Sequence, residues 1–165
     1  MSEDNYNNHL VFNRGCGGTV AFVDLIQEIK NYLDEDPSRT YALMIGTDSE
    51  ERETGVEFVT AIVVYRKGAG GRYFWQATFV PQNFKSLFER IWQEALASLK
   101  LSMHLIEAVK DIQARFSFEL HVDIGENGET KTIVREIVSS LRSSGLLVKT
   151  KPESFAASKV ADRHL

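Results

Sequence analysis

Two aspartates carry the chemistry that this sequence offers. The stretch Tyr41-Ala-Leu-Met-Ile-Gly-Thr-Asp-Ser-Glu50 is an apolar run that stops at Gly46-Thr47-Asp48-Ser49. Short, apolar and closed by turn formers, it predicts a buried strand with Asp48 where the strand emerges. A carboxylate at that place is cheap to solvate yet held by a rigid element, which suits a catalytic or metal-binding group. The competing reading is that Asp48 merely starts a turn, as Asp and Ser often do. Phe116-Ser-Phe-Glu-Leu-His-Val-Asp-Ile-Gly125 repeats the design. Phe116, Phe118, Leu120 and Val122 alternate onto one face, and the strand is expected to run out at Asp123. As parallel neighbours, the two strands would deliver both aspartates to one sheet edge, where open α/β sheets place their sites.

The rest of the chain must supply that sheet. At 165 residues it predicts a single domain spanning 1–165, with a folded core from about residue 20 and a loose arm over residues 1–19. A composition of 43% hydrophobic and 25% charged residues is that of a soluble globular protein. No apolar run reaches membrane-spanning length and the first residues, Met-Ser-Glu-Asp-Asn, are polar and acidic. The reading is therefore no signal peptide, no transit sequence and no membrane partner. The single cysteine, Cys16, forms no internal disulfide, which predicts a cytoplasmic location. A net charge of −4 weighs against a broad basic surface for nucleic acid. Local basic groups remain, at Arg66, Lys67 and Arg72 and again at Lys149, Lys151, Lys159 and Arg163. Carboxylates that hold divalent cations also add negative formal charge at a site.

Phe22, Leu25, Ile26, Ile29 and Leu33 recur at helical spacing until Asp34-Glu-Asp-Pro37. After the Asp48 strand, Ser49 to Gly55 reads as a charged turn. Glu57 to Tyr65 reads as a second strand, Lys67 to Gly71 as a hairpin turn, and Arg72 to Val80 as an aromatic third strand. Pro81-Gln-Asn83 is expected to open a long helix whose apolar face runs from Phe88 through Trp92 and Met103 to Val109. Beyond Asp123 come a turn, a helix over Thr130–Leu141, a short fifth strand over Leu146–Thr150, and a final helix from Ser154 to about Arg163. Three strands joined by short turns make an antiparallel meander, and two strands that arrive through helices join it in parallel. The fold class is α/β, a mixed five-stranded sheet of order 3-2-1-4-5 flanked by helices, with only the second strand antiparallel to its neighbours.

That order, with aspartates ending the first and fourth strands, resembles the ribonuclease H-like fold. Ile45-Gly-Thr-Asp-Ser49, Glu89-Arg-Ile-Trp-Gln-Glu94, His121-Val-Asp-Ile-Gly125 and the closing Lys151-Pro-Glu-Ser-Phe-Ala-Ala-Ser-Lys-Val-Ala-Asp-Arg-His164 together resemble the YkuK-like family of predicted ribonuclease H-like nucleases. The likeness covers about residues 40 to 165. It implies a metal-dependent nuclease in which Asp48, Asp123 and Asp162, with one carboxylate from the long helix, hold two Mg²⁺ or Mn²⁺ ions. Two such ions activate a water and stabilise the leaving oxygen of a phosphodiester in RNA or DNA. Carboxylates supply the hard oxygen ligands these cations prefer. For the helix carboxylate we choose Glu94 over Glu89, because Ala97 and Ser98 one turn on let Glu94 approach the sheet, and because Glu-x-x-x-Ser fits the family pattern. Arg72, Lys151 and Lys159 are the expected substrate-binding cations.

Three auxiliary positions read two ways. His121 shares a strand face with Asp123, so it lines the site or packs under a helix. His164 assists proton transfer or belongs to a disordered terminus. Ser49 reads as a turn cap rather than a nucleophile, with no histidine–carboxylate pair near it in sequence. Two further functional classes compete with the nuclease. One is a non-catalytic ribonuclease H-like nucleic-acid-binding or scaffold protein. The other is an actin- or sugar-kinase-like phosphate-binding domain, suggested by Asp123-Ile-Gly125, for which one domain of this length is too short.

Overall fold

The structure, a computed structural model, describes residues 10–122, 138–139, 142–143 and 146–165. In chain order the elements are β1 (Val11–Arg14), β2 (Thr19–Ala21), α1 (Phe22–Asp34), β3 (Tyr41–Arg52), β4 (Gly55–Arg66), β5 (Gly71–Val80), α2 (Leu87–Ala108), a 3₁₀ turn (Lys110–Arg115), β6 (Phe116–Val122) and β7 (Leu147–Lys149). A π-type turn (Ala156–Ala161) and a last 3₁₀ turn (Asp162–His164) end the chain.

The spine is the β3–β4 hairpin. Its antiparallel register runs unbroken from Tyr41↔Arg66 to Arg52↔Gly55, so only Glu53 and Thr54 turn the chain. A side chain at Gly55 would collide with the Val80 carbonyl 2.1 Å away, which is why the hairpin closes on glycine there. The expected charged turn over residues 49–55 is thus mostly strand. Polar residues fit at this tip because they pair across it: Arg52 bridges to Glu57 at 2.7 Å and also to Glu50.

The sheet order is β2-β1-β5-β4-β3-β6-β7. Its five right-hand strands reproduce the expected order 3-2-1-4-5, with β4 antiparallel to β3 and β5 and with β6 and β7 added in parallel. The sheet nevertheless has seven strands rather than five. Residues 11–14 and 19–21, all but 20 and 21 of them expected as loose arm, form an antiparallel pair that docks on β5 through Asn13↔Trp75 and Arg14↔Phe74. Gly17 and Gly18, at φ +102° and +76°, make its turn, and Phe12 and Val20 bury into the core. The glycines that suggested looseness are the device that lets so short a hairpin turn.

One sheet face packs on α1 and α2. Leu25, Ile29 and Leu33 of α1, Leu105 of α2, and Leu43, Ile45, Ile62, Leu120 and Val122 of the strands form one buried cluster. Each fully buried Leu or Ile there contributes about 1.5–3 kcal/mol. The other face is covered by the chain's last segment. Ala156 packs on Ala42, Met44 and Val63, and Ala161 packs on Val59 and Ala61. The expected closing helix is this π-type turn followed by 3₁₀ geometry. The long helix begins at Leu87, later than Pro81 suggests, because Ser86 caps it by accepting from the Glu89 N–H at 3.2 Å. Of the helix expected over 130–141, only Val138 and Ser139 are described, and both are helical.

Candidate functional site

Asp48 lies within β3, directly opposite Val59 of β4, rather than at the strand's end. The neighbouring parallel strand β6 is shorter. Its pairing with β3 runs from Tyr41↔Phe116 to Thr47↔Val122, one residue before Asp48 on one strand and before Asp123 on the other. Asp123 itself lies outside the described residues. Alternation along β3 puts Leu43, Ile45, Thr47 and Ser49 on the helical face. Ala42, Met44, Gly46 and Asp48 are on the face covered by the terminal segment. Asp48 is half-buried, and its Oδ1 accepts the Ser49 N–H at 2.9 Å.

Glu94 projects from α2 onto the helical face and is 5% exposed. Of the two small residues expected to allow this, Ser98 is buried against Thr47 of β3, while Ala97 is half-buried; Ala95, also small, is buried beside Glu94. The Ser49 hydroxyl donates to Glu94 Oε1 at 2.5 Å. Arg90, one helical turn earlier, donates from Nη1 to the Ser49 carbonyl at 2.8 Å, while its buried Nε has no partner among the described residues. A second chain of hydroxyls runs beside this one. Ser98 donates to Thr47 Oγ1 at 2.7 Å, and Thr47 and Thr60 share a hydrogen bond at 2.9 Å. Ser49 is therefore a buried strand residue and not a turn cap. Glu89 is placed differently, at the helix start, where its carboxylate accepts the Lys85 N–H at 2.8 Å and helps close the first turn.

The opposite face carries a cluster that the sequence pattern alone did not single out. Ser117, Glu119 and His121 alternate with the apolar residues of β6, and Glu119 and His121 are 4% and 1% exposed. Glu119 accepts from Lys149 of β7 at 3.0 Å, from Ser117 at 3.1 Å, and meets His121 Nε2 at 3.2 Å. His121 Nδ1 accepts the Ala156 N–H at 3.1 Å, which places its proton on Nε2, facing Glu119. Burial pushes the His121 imidazole below its ordinary value, against the pull of Glu119. Burial also works to raise the Glu119 carboxyl, but hydrogen bonds from His121 and Lys149 outweigh it and hold the group low. His121 is packed: the ring pins the terminal segment to β6, with Phe155 set edge-on at 5.4 Å. The signal for this cluster was legible as polar residues at every second place of an otherwise apolar strand.

The terminal segment brings Asp162 to Asp48's side of the sheet. Asp162 follows Ala161, which packs on Val59, the residue opposite Asp48. Asp162 is exposed. His164 is packed rather than disordered: its ring stacks on Trp75 at 4.1 Å and 12°, and burial, with Arg163 nearby, lowers its pKa. Lys151 and Lys159 are exposed on the same segment. Arg72 and Arg66 are tied elsewhere. Both pair with Glu35, at 2.5 and 2.9 Å, and both lie over the Tyr32 ring. They fasten the end of α1 to the β4–β5 turn, although Arg72 stays partly exposed.

The donors implied for the metal ions are all carboxylate oxygens, which fits Mg²⁺ or Mn²⁺ chemistry. Among the described residues no three His, Cys, Asp or Glu side chains group together in a way that could hold a metal ion. Asp48 and Asp162 share a sheet face, whereas Glu94 reaches β3 through the other face, at the residue next to Asp48. No helix among the described residues is long and apolar enough to cross a membrane.

Among solved structures, the chain resembles RNase H1 from the halophilic archaeon Halobacterium salinarum NRC-1, at 15% identity over 75% of this chain and 99% of that one, with a TM-score of 0.37. It also resembles an N-terminal RNase H domain from Mycobacterium tuberculosis, at 11% identity over 76% and 96% of the two chains, with a TM-score of 0.31. Likeness at that level carries no argument about the site. In sequence the chain is 30% identical over 155 residues to "Uncharacterized protein YkuK" of Bacillus subtilis (strain 168), an alignment covering 87% of this chain and 90% of that one. The model of the family described as Ribonuclease H-like matches residues 24–165. With that match and that relative, the chain belongs to the ribonuclease H-like family.

Proposed function

We propose that the chain is a divalent-metal-dependent nuclease that hydrolyses phosphodiester bonds of RNA or DNA. The observation that supports this reading is that Asp48 and the terminal segment that carries Asp162 lie on one face of the sheet, beside the end of β6, after which Asp123 follows in sequence. Asp48, Asp123 and Asp162, with Glu94 from α2, are the residues we assign to hold two Mg²⁺ or Mn²⁺ ions. When bound, such ions polarise the scissile phosphate and supply a hydroxide nucleophile. The chain's own contribution is rigidity. Asp48 is fixed by the long β3–β4 ladder, and the His121–Ala156 bond fixes the segment that carries Asp162. Lys151 and Lys159 are exposed on that segment, where they offer cations to backbone phosphates. With a net charge of −4, binding would rest on few phosphate contacts, so it would be weak and would depend only modestly on salt.

One observation favours a second reading, a non-catalytic nucleic-acid-binding member of the family: Glu94 is already committed to Ser49. The two separate in one experiment. Labelled single-stranded RNA, single-stranded DNA, RNA–DNA hybrid and a branched duplex are incubated with Mg²⁺ or Mn²⁺, with and without EDTA. Chelator-sensitive cleavage of any substrate supports the nuclease. Binding without cleavage, indifferent to EDTA, supports the second reading.

A further inference from the structure

On the helical face, beyond the outer edge of α2, the sheet leaves a cavity of about 270 Å³. Its polar lining is Thr60, Gln76, Thr78, Gln82, Gln93 and Lys100. Its apolar part includes Phe58 and Phe84, whose rings meet edge to face at 5.8 Å and 85°. Phe58 and Thr60 alternate along β4 with Val59, the partner of Asp48, so this cavity opens on the face opposite Asp48 and Asp162, the face that also carries the buried Glu94. Nothing in the proposed hydrolysis uses it.

The lining selects a ligand class. A carboxamide offers two donors and an acceptor, and a threonine hydroxyl offers both roles. Among the described residues, the side chains of Gln76, Gln82 and Gln93 make no hydrogen bond to another protein group. None of the residues lining the cavity is acidic, in a chain whose net charge is −4. Three amides and two hydroxyls around a floor of aromatic and aliphatic carbon suit a flat, neutral ring that presents donors and acceptors along its edge. Lys100 is the single charged side chain in the lining, enough for one anionic group and not for a polyphosphate. The volume lies just below the usual range for small-ligand sites, about 300–1,000 Å³, which suits a base with its sugar.

We propose that this cavity binds a nucleobase, carried by a nucleoside monophosphate or by a nucleic-acid strand, at a site separate from the Asp48 carboxylates. The opposite-face placement favours the free nucleotide over a base of a strand held at Asp48. The inference stands whether or not the chain cleaves phosphodiesters.

The test is calorimetric titration of the full chain in EDTA, which silences any metal site. The probes are adenosine, guanosine, cytidine and uridine 5′-monophosphates, ribose 5-phosphate, and single-stranded homopolymers. At least one monophosphate or homopolymer should bind saturably, with Kd of about 1 mM or tighter. Ribose 5-phosphate should fail to bind. Gln93→Leu removes an exposed amide, and Ala97→Phe fills the cavity from α2. Each should weaken binding about tenfold or more, while Asp48→Asn should leave it unchanged. Tighter binding of a homopolymer than of its monomer, lost in the same two variants, upholds base recognition and gives the strand as its source. No saturable binding overturns the proposal. So does equal binding of ribose 5-phosphate, or wild-type binding by Gln93→Leu, which as a surface change keeps the fold even if Ala97→Phe does not.

Discussion

The two faces of β3 solve opposite problems with adjacent residues. On the helical face, Thr47 and Ser49 are buried under α2, and their hydroxyls are used up by Thr60, Ser98 and Glu94. On the other face, Asp48 is half-buried beneath a terminal segment that is pinned by one imidazole and carries an exposed aspartate. The first face is a network in which these hydroxyls and the Glu94 carboxylate complete one another, the arrangement that stabilises and specifies a fold. On the assignment we propose, the second would gather carboxylates that repel one another when packed without a cation. A strand's period of two is what allows one short stretch to serve both ends.

If the helical face is structural, its variants should cost most. Glu94→Leu strands the buried Ser49 hydroxyl that donates to it, and we expect a loss of about 2–3 kcal/mol in urea unfolding. A change below about 0.5 kcal/mol would mean that Glu94 is available as a metal ligand. Thr47→Val deletes the centre of the Ser98–Thr47–Thr60 chain at nearly constant volume. It should cost about 1–2 kcal/mol by the same measurement.

Acid should act through the other face. The folded His121 pKa is depressed, so below about pH 6.5, the ordinary value, the unfolded chain takes up a proton that the folded chain resists. The folded Glu119 pKa is also depressed, so its contribution is present above about pH 4.3 and is lost as pH falls through the folded value. Both make stability fall on acidification. The urea midpoint should therefore be lower at about pH 5.5 than at about pH 7.5, and it should fall further below about pH 4.5. A midpoint constant across the upper interval would contradict the assignment of His121 as a buried neutral pin.

The smallest effect is expected at Asp48 itself. Without metal, Asp48→Asn removes charge from a carboxylate face, so apo stability should be unchanged or slightly higher. A clear loss would make Asp48 a structural residue and erase the contrast between the faces.

The long-range plan was legible because β3 and β4 carry continuous apolar runs, β6 alternates, and their connections allow few topologies. Asp48's depth in the strand was not. Asp-Ser-Glu-Glu-Arg-Glu reads as a turn, since nothing local reveals that Arg52 will pair across the hairpin with Glu57. β1 and β2 escaped for a related reason: strands of four and three residues carry too little alternation, and their stability comes from docking on β5. The small residues Ala97 and Ser98 did foretell that α2 lies close on the sheet at Glu94. They gave no hint that the carboxylate would meet a serine on the far side of the strand from Asp48.

Asp48→Asn assayed for cleavage tests the central claim most directly. Wild-type and variant protein are compared on the same labelled RNA, DNA and hybrid substrates in Mg²⁺ and in Mn²⁺, with binding measured in parallel. Metal-dependent hydrolysis is expected of the wild type. The variant should lose turnover by a factor of about 10³ or more, while Lys151 and Lys159 keep substrate affinity nearly unchanged. Wild-type cleavage by Asp48→Asn on every substrate would contradict the claim.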